Sequence, residues 1–103
     1  MSDPIVRKDL DQHRYVAEVD GEVAGFAVFH IRNGRYFFVH TETDPRFEGR
    51  GIGSALAKGA LDDVRAEGAT VVPLCPFIAG WIARHADYEP LVDHELVSHI
   101  DGR

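Results

Sequence analysis

The residues able to do chemistry gather in three places along this 103-residue chain. In "RFEGRGIGSALAKGALDD", residues 46–63, Gly49, Gly51 and Gly53 alternate with other residues, and a helical pattern begins directly behind them. Glycine is the poorest ordinary helix former. Three of them at a helix start therefore serve either a sharp turn or the approach of something large to bare backbone. A strand, a glycine-rich turn and a helix start aim several unpaired N–H groups at one point, and the helix end adds positive partial charge. That arrangement suits a phosphate, and a pyrophosphate in particular. The plainer alternative, a tight strand-to-helix turn with close helix packing, stays open at this point. Two familiar phosphate loops are excluded. Lys58-Gly59 has the wrong order for a Walker A loop and comes a turn late. Counted from Gly49, the sixth position of a dinucleotide fingerprint is Ser54, not glycine.

The second place is Cys75, which stands just before Pro76, a residue suited to a first helical position. Helix starts favour thiolates, whereas a lone buried cysteine is otherwise inert filler. The third is the pair His40 and Glu42, two residues apart on a strand pattern. Either can act as a general base, directly or through water. Their plain readings are a satisfied core histidine and a solvated strand end. Six histidines invite a metal reading. However, His94 and His99 are five apart, not the four that would put two ligands on one helical face, and no cysteine cluster accompanies them. No metal is expected.

The elements that must position these residues are legible in pattern. "RYVAEVDGEVAGFAVFHIRNGRYFFVHTET" is rich in β-branched and aromatic residues and contains two hairpin signals, Asp20-Gly21 and Asn33-Gly34. It predicts an antiparallel meander with strands near 14–19, 22–32 and 35–43. Simple alternation along the third strand puts Tyr36, Phe38, His40 and Glu42 on one face and Phe37, Val39, Thr41 and Thr43 on the other. Both sets begin apolar, which predicts a sheet covered on both faces. Pro45 ends the strand. Behind the glycines, Leu56, Ala57, Ala60, Leu61 and Val64 share one helical arc, with Ser54, Lys58, Asp62 and Arg65 opposite. Gly68 stops that helix. "ATVVPLC" is a short strand, and the strand–helix–strand order implies a right-handed parallel crossover. Pro73 within it marks an edge, a bulge or a gap. "PFIAGWIARHADY" keeps helical spacing. Residues 1–13 show no clear periodicity, and 89–103 read as irregular or weakly helical. The order β-β-β-α-β-α predicts a mixed sheet of α/β or α+β class in a single domain, 1–103, with its core near 14–92.

Composition limits the function. Apolar residues make up 45% and charged residues 27%, as in an ordinary globular chain. A domain of this size buries roughly 65% of its unfolded surface, enough for one modest core. The net charge of −6, with scattered Lys and Arg, excludes a general nucleic-acid binder. One cysteine excludes an internal disulfide and points to a reducing, cytoplasmic setting. No run approaches the ~20 apolar residues of a membrane helix, and the N-terminus has no apolar core of signal-peptide length. A meander apolar on both faces needs two covers. A weak homodimer through an uncovered face or edge is therefore expected.

"DPRFEGRGIGSAL" resembles the coenzyme-A loop of the GNAT superfamily of acetyl-CoA-dependent acyltransferases, in which a Gln or Arg, two free residues, Gly, one free residue and Gly or Ala follow a strand and open a helix. Gly51 and Gly53 take the glycine positions. Glu48 stands where Gln or Arg is usual, so its carboxylate should point away from a pyrophosphate or contribute only its backbone. The run "HTETDPRFEGRGIGSALAKGALDDVRAEGATVVPLCPF" with "RHADY" is similar to a compact single-domain branch carrying a "PLCPF" segment, and this likeness spans 14 to about 92. The resemblance implies a GNAT-like fold and an N-acetyltransferase using acetyl-CoA as co-substrate. It implies a pyrophosphate held by Gly49, Arg50, Gly51, Ile52, Gly53 and Ser54, and a pantetheine arm along Thr41–Thr43 towards a gap beside Pro73. A strand N–H near Glu42 would polarise the thioester. The acceptor would be an unidentified small-molecule or protein amine, attacking directly with help from Glu42 or His40. Cys75 would carry an acyl group, act as an acid or line the pocket. Many members of the superfamily this chain resembles place a proton-donating Tyr where it has Trp81. An indole N–H only donates hydrogen bonds, so Cys75, water, Tyr88 or His85 would have to supply a proton, and Trp81 is expected in the core. A coenzyme-A-binding module without catalysis and an interaction domain with a purely structural turn are the rival readings.

Overall fold

The computed structural model describes residues 3–100; residues 1, 2 and 101–103 of the two expected terminal segments lie outside the described residues. Five strands form one mixed sheet in chain order: β1 (Ile5–Asp9), β2 (Arg14–Val19), β3 (Glu22–Arg32), β4 (Arg35–Thr43) and β5 (Thr70–Pro73). The first four are antiparallel neighbours. β5 lies parallel to β4 after a crossover through α1 (Ile52–Ala66). α2 (Pro76–Arg84), a 3-10 segment at Ala86–Leu91 and α3 (His94–Ile100) follow. The chain is thus a mixed α+β fold, as its pattern predicts. Both expected hairpins form. Asp20 and Asn33 have φ of 50°, and Gly21 and Gly34 have φ of 82° and 74°, the pair of positive values that a type I′ turn requires.

Two expectations about the ends are corrected. Residues 5–9 form an edge strand that their sequence does not announce. Its strand character comes from its neighbours: it pairs with β2, and Val6 packs so closely on α1 that a Cβ at Gly59 would lie 2.8 Å from it. At the other end, the helical pattern of 76–88 stops as an α-helix at Arg84, and the stretch expected to be irregular or weakly helical carries the end of the 3-10 segment and α3.

α1 touches all five strands. Its buried arc, Leu56, Ala57, Ala60, Leu61 and Val64, is the one the helical wheel predicts. It meets Tyr15, Ala27, Phe29, Tyr36 and Phe38 from the sheet. Burying Leu56 or Leu61 contributes about 1.5–3 kcal/mol each, and Leu61→Ala would cost about 2–5 kcal/mol because little can fill the hole. A polar cluster completes this side. Lys8 Nζ donates to Tyr36 Oη at 2.9 Å, lies 2.7 Å from Asp63 Oδ2 and pairs with Glu67. Tyr15 donates to Asp63 at 2.6 Å and Tyr36 to Glu67 at 2.7 Å. Burial opposes charge on Lys8, but its bonds to Asp63, Glu67 and Tyr36 outweigh this and hold its pKa above the ordinary lysine range. For Asp63 burial again opposes charge and loses to the bonds from Lys8 and Tyr15; for Glu67 the bonds from Lys8 and Tyr36 dominate. Both carboxyls are held low.

The simple alternation along β4 is also corrected. Val28 pairs with His40, but Phe29 pairs with Phe38, which leaves Val39 as an extra residue, a β-bulge. The bulge resets the alternation. Tyr36 and Phe38 share the helix-covered face with Thr41 and Thr43, while His40 and Glu42 stand on the opposite face beside Val28 and Phe26. That opposite face is not covered as the helical face is: Phe26, Val28 and Phe37 are only half-buried and Val39 is exposed.

Candidate active site

β4 and the start of α1 are joined by a 3-10 turn at Pro45–Phe47 and the glycine loop. Asp44 caps the turn by accepting from the Arg46 N–H at 2.9 Å. Gly49 and Gly51 have φ of 79° and 73°, and Gly51 is the N-cap of α1 with no side-chain capping bond. These two positions need glycine for conformation. The first intrahelical bond is Ala55 N–H to Gly51 C=O, 3.0 Å, so the amides of Ile52, Gly53 and Ser54 have no acceptor within the helix. Gly53 is required for a different reason: a Cβ there would lie 2.7 Å from the Phe77 ring on α2. The glycines therefore serve the tight turn, at Gly49 and Gly51, and the close packing of the two helices, at Gly53; the three amides beside them are left as donors.

A groove of about 480 Å³ runs over this loop, between the α1 N-terminus and α2. Thr43, Gly49, Gly51, Ile52, Gly53 and Ser54 line it, all expected from the sequence. Arg50 does not; its guanidinium lies over the Phe47 ring at 5.3 Å, and its N–H bonds the Phe47 carbonyl at 3.3 Å. Glu48 reaches the groove wall, and its N–H is already bonded to Pro45 C=O at 3.3 Å, so its backbone does not serve as a donor there. α2 supplies Phe77, Trp81 and Arg84 to the opposite wall, and His85, which follows its last residue, joins them. Arg84 is the cation that sequence reasoning missed. The signal was present: positions 77, 81, 84 and 85 fall on one helical face, opposite the glycine loop.

Trp81 is buried, as expected, and also ties the site together. Its indole N–H donates to Ser54 Oγ at 3.0 Å, which leaves the Ser54 O–H free to donate elsewhere. The His85 ring stacks on Trp81 with centroids 3.8 Å apart, and His85 Nδ1 lies 2.7 Å from the Trp81 carbonyl. Tyr88 is removed as a proton donor: its hydroxyl donates to Asp62 Oδ1 at 2.8 Å, and burial followed by that bond raises its pKa.

Earlier along β4 than Thr43, β5 parts from it. Their pairing runs from Arg35↔Thr70 to Phe38↔Pro73, and the last link is Cys75 N–H to Phe38 C=O at 2.8 Å. Beyond Phe38, β4 continues to Thr43 with no β5 partner. Pro73, which has no N–H to strand, is the last residue of β5. In that opening Thr41 Oγ1 lies 3.4 Å from Cys75 Sγ, on the helical side of the sheet. His40 Nε2 and Glu42 Oε2 are 3.3 Å apart on the outer side, with both side chains more than half exposed. The sequence-predicted catalytic residues are thus divided between the two faces of β4: Cys75 meets Thr41, expected along the pantetheine arm, on the helical side, and His40 pairs with Glu42 on the outer side. Among the described residues no three His, Cys, Asp or Glu side chains converge as a metal site. No helix there is long and apolar enough to cross a membrane.

Residues 14–91 match a family model described as GCN5-related N-acetyl-transferase. The chain belongs to the GCN5-related N-acetyltransferase family. No curated protein sequence matches it. Among solved structures it is similar to a GCN5-like protein from Staphylococcus aureus, assigned provisionally as an N-acetyltransferase and determined by NMR, with TM-score 0.67 and 15% identity over 89% of this chain and 90% of that one. It is also similar to the ribosomal-protein-S18-alanine N-acetyltransferase of Escherichia coli, with TM-score 0.55 and 20% identity over 58% of this chain and 39% of that one. The chain spans under half the length of that enzyme. At these identities the likeness is one of fold. The GNAT-like fold implied by the glycine loop is the fold of the family to which this chain belongs, and the family generally uses acetyl-CoA.

Proposed function

We propose that this protein is an acetyl-CoA-dependent N-acetyltransferase acting on an amine by direct attack on the thioester. The observation that carries this reading is the continuity of the groove. It starts at unclaimed amides on the α1 N-terminus and reaches Thr43, next to the opening where β5 leaves β4. The amides of Ile52, Gly53 and Ser54, the Ser54 hydroxyl and the Arg84 guanidinium would hold the pyrophosphate. The unpaired edge of β4, Thr41 to Thr43, would take the pantetheine arm, and a backbone N–H there would stabilise the oxyanion. In the transfer, a base accepts a proton from the acceptor ammonium. The amine nitrogen then forms a bond to the carbonyl carbon, and the carbon–sulfur bond breaks, leaving coenzyme A thiolate to be protonated. His40 and Glu42 sit where the outer face meets the opening and would accept the first proton, directly or through water.

A second reading, an acyl-Cys75 intermediate, is favoured by the 3.4 Å contact between Cys75 Sγ and Thr41 Oγ1. Intact-protein mass spectrometry after incubation with acetyl-CoA, alongside thiol release with an amine panel, separates the readings. Direct attack predicts no stable adduct and substantial turnover in Cys75→Ala. A stoichiometric acetyl group on Cys75 that an amine discharges, with turnover abolished in the variant, would replace direct attack. Failure to bind coenzyme A at millimolar concentration would remove both and favour an interaction domain.

A further inference from the structure

A second hollow, of about 220 Å³, adjoins the coenzyme groove at Thr43. Val23, Phe26, Glu42, Asp44 and Pro45 line it, and Phe26 and Glu42 place it on the outer face of the sheet. We infer that this hollow receives the acceptor, and that the acceptor is a monocation on an apolar stem: a primary alkyl- or arylalkylammonium with no carboxylate next to the stem. This inference rests on the acetyl-transfer reading above and names its substrate class.

Charge within the hollow decides the class. Asp44 is already satisfied, since it accepts from the Arg46 backbone N–H and from the Arg46 guanidinium at 3.1 Å. Glu42 is not: its ionic neighbour is His40 at 3.3 Å, which balances it only when protonated. One uncompensated carboxylate therefore faces the hollow, and it would bind one cation. The remaining walls, Val23, Phe26 and Pro45, offer carbon. An ammonium or its adjacent methylenes can pack on the Phe26 ring, which Arg14 holds from its own side with its guanidinium 5.0 Å from the ring centroid. The volume is below the ~300–1,000 Å³ of ordinary ligand pockets, which limits the acceptor to a short stem or the end of a longer one. A carboxylate beside the stem would meet Glu42 and the protein's net charge of −6.

The test uses isotopically labelled protein saturated with coenzyme A, titrated separately with n-butylamine, phenethylamine and 4-aminobutyrate. The first two should shift the backbone resonances of residues 23–26 and 42–45 saturably. 4-Aminobutyrate, the butylamine stem with a carboxylate added, should bind at least tenfold more weakly. Val23→Lys, at an exposed position, should weaken butylamine at least tenfold with coenzyme A affinity unchanged, and Glu42→Gln should do the same. In turnover assays Val23→Lys should raise KM for the amine far more than it lowers kcat. Coenzyme A saturation with no amine-induced shifts in these segments, or aminobutyrate binding as well as butylamine, would overturn the inference while leaving the coenzyme site standing. Absence of coenzyme A binding would overturn the underlying reading and this one together.

Discussion

The two ends of α1 lie over the same sheet, but their polar groups are handled in opposite ways. At the C-terminal end Lys8, Tyr15, Tyr36, Asp63 and Glu67 use one another completely. Each donor there has an acceptor in the cluster, and each carboxylate faces the lysine. At the N-terminal end three amides have no helical acceptor, and β4 runs on past its partner. A cluster that satisfies itself has nothing to offer a ligand, whereas the open end keeps three unspent amide donors. The most strongly shifted pKa values lie at the satisfied end. Lys8 and Tyr15 are the most displaced groups, and their displacement comes from a structural clasp that fastens β1 to the helix.

Breaking the clasp should have the largest effect. Lys8→Met leaves two carboxylates without their cation and should cost about 2 kcal/mol, the buried-pair figure discounted for their partial exposure. Denaturant melts would measure the loss, and coenzyme A affinity should stay within about twofold. The clasp also sets the pH window. The lowered pKa values of Asp63 and Glu67 contribute stability above the ordinary carboxylate range, near 4, and it is lost as pH falls through their lower folded values. The raised values of Lys8, Tyr15 and Tyr36 contribute below about pH 10, and that contribution is lost as pH rises through their folded values. Stability measured against pH should show both limbs, and Lys8→Met should flatten them. Matching limbs in the wild type and the variant would place the dependence elsewhere.

At the open end the order reverses: binding changes more than stability. Gly51→Val puts a β-branched residue at φ 73°, a strained geometry, and displaces the N-cap amide. Coenzyme A affinity by calorimetry should fall at least tenfold, about 1.4 kcal/mol. Arg84→Ala should weaken binding about threefold and Arg50→Ala less, since Arg84 lines the groove while Arg50 rests on Phe47. The Arg84 loss should shrink in high salt. An Arg50 effect larger than that of Arg84 would mean that the loop rearranges around its ligand.

Much of this was legible in the sequence, for identifiable reasons. The hairpins, the buried arc of α1 and the glycine loop are local, and their residues state their own geometry. β1 was not legible, because its short, mostly charged run becomes a strand only through its pairing with β2 and the reach of Lys8 to α1. The faces of His40 and Glu42 were misread because a bulge leaves no mark in composition: Val39 is as good a strand residue as its neighbours. Arg84 lay in view but was overlooked, since its role depends on α2 crossing in front of the loop. Gly53 was expected to make room for phosphate, and part of its reason is an aromatic ring that only the tertiary packing brings there.

The extra residue at Val39 can also be seen as slack in the chain. Without it, every other side chain of β4 would keep its present face, because Phe38 and His40 already stand on opposite sides. The loss would be one of curvature. Phe38 and His40 already lie one step apart against Phe29 and Val28, so these pairs would stay in place while the local bend and extra twist would go. The spare residue therefore bends β4 at the point where the opening begins, just past the last residue that β5 pairs with.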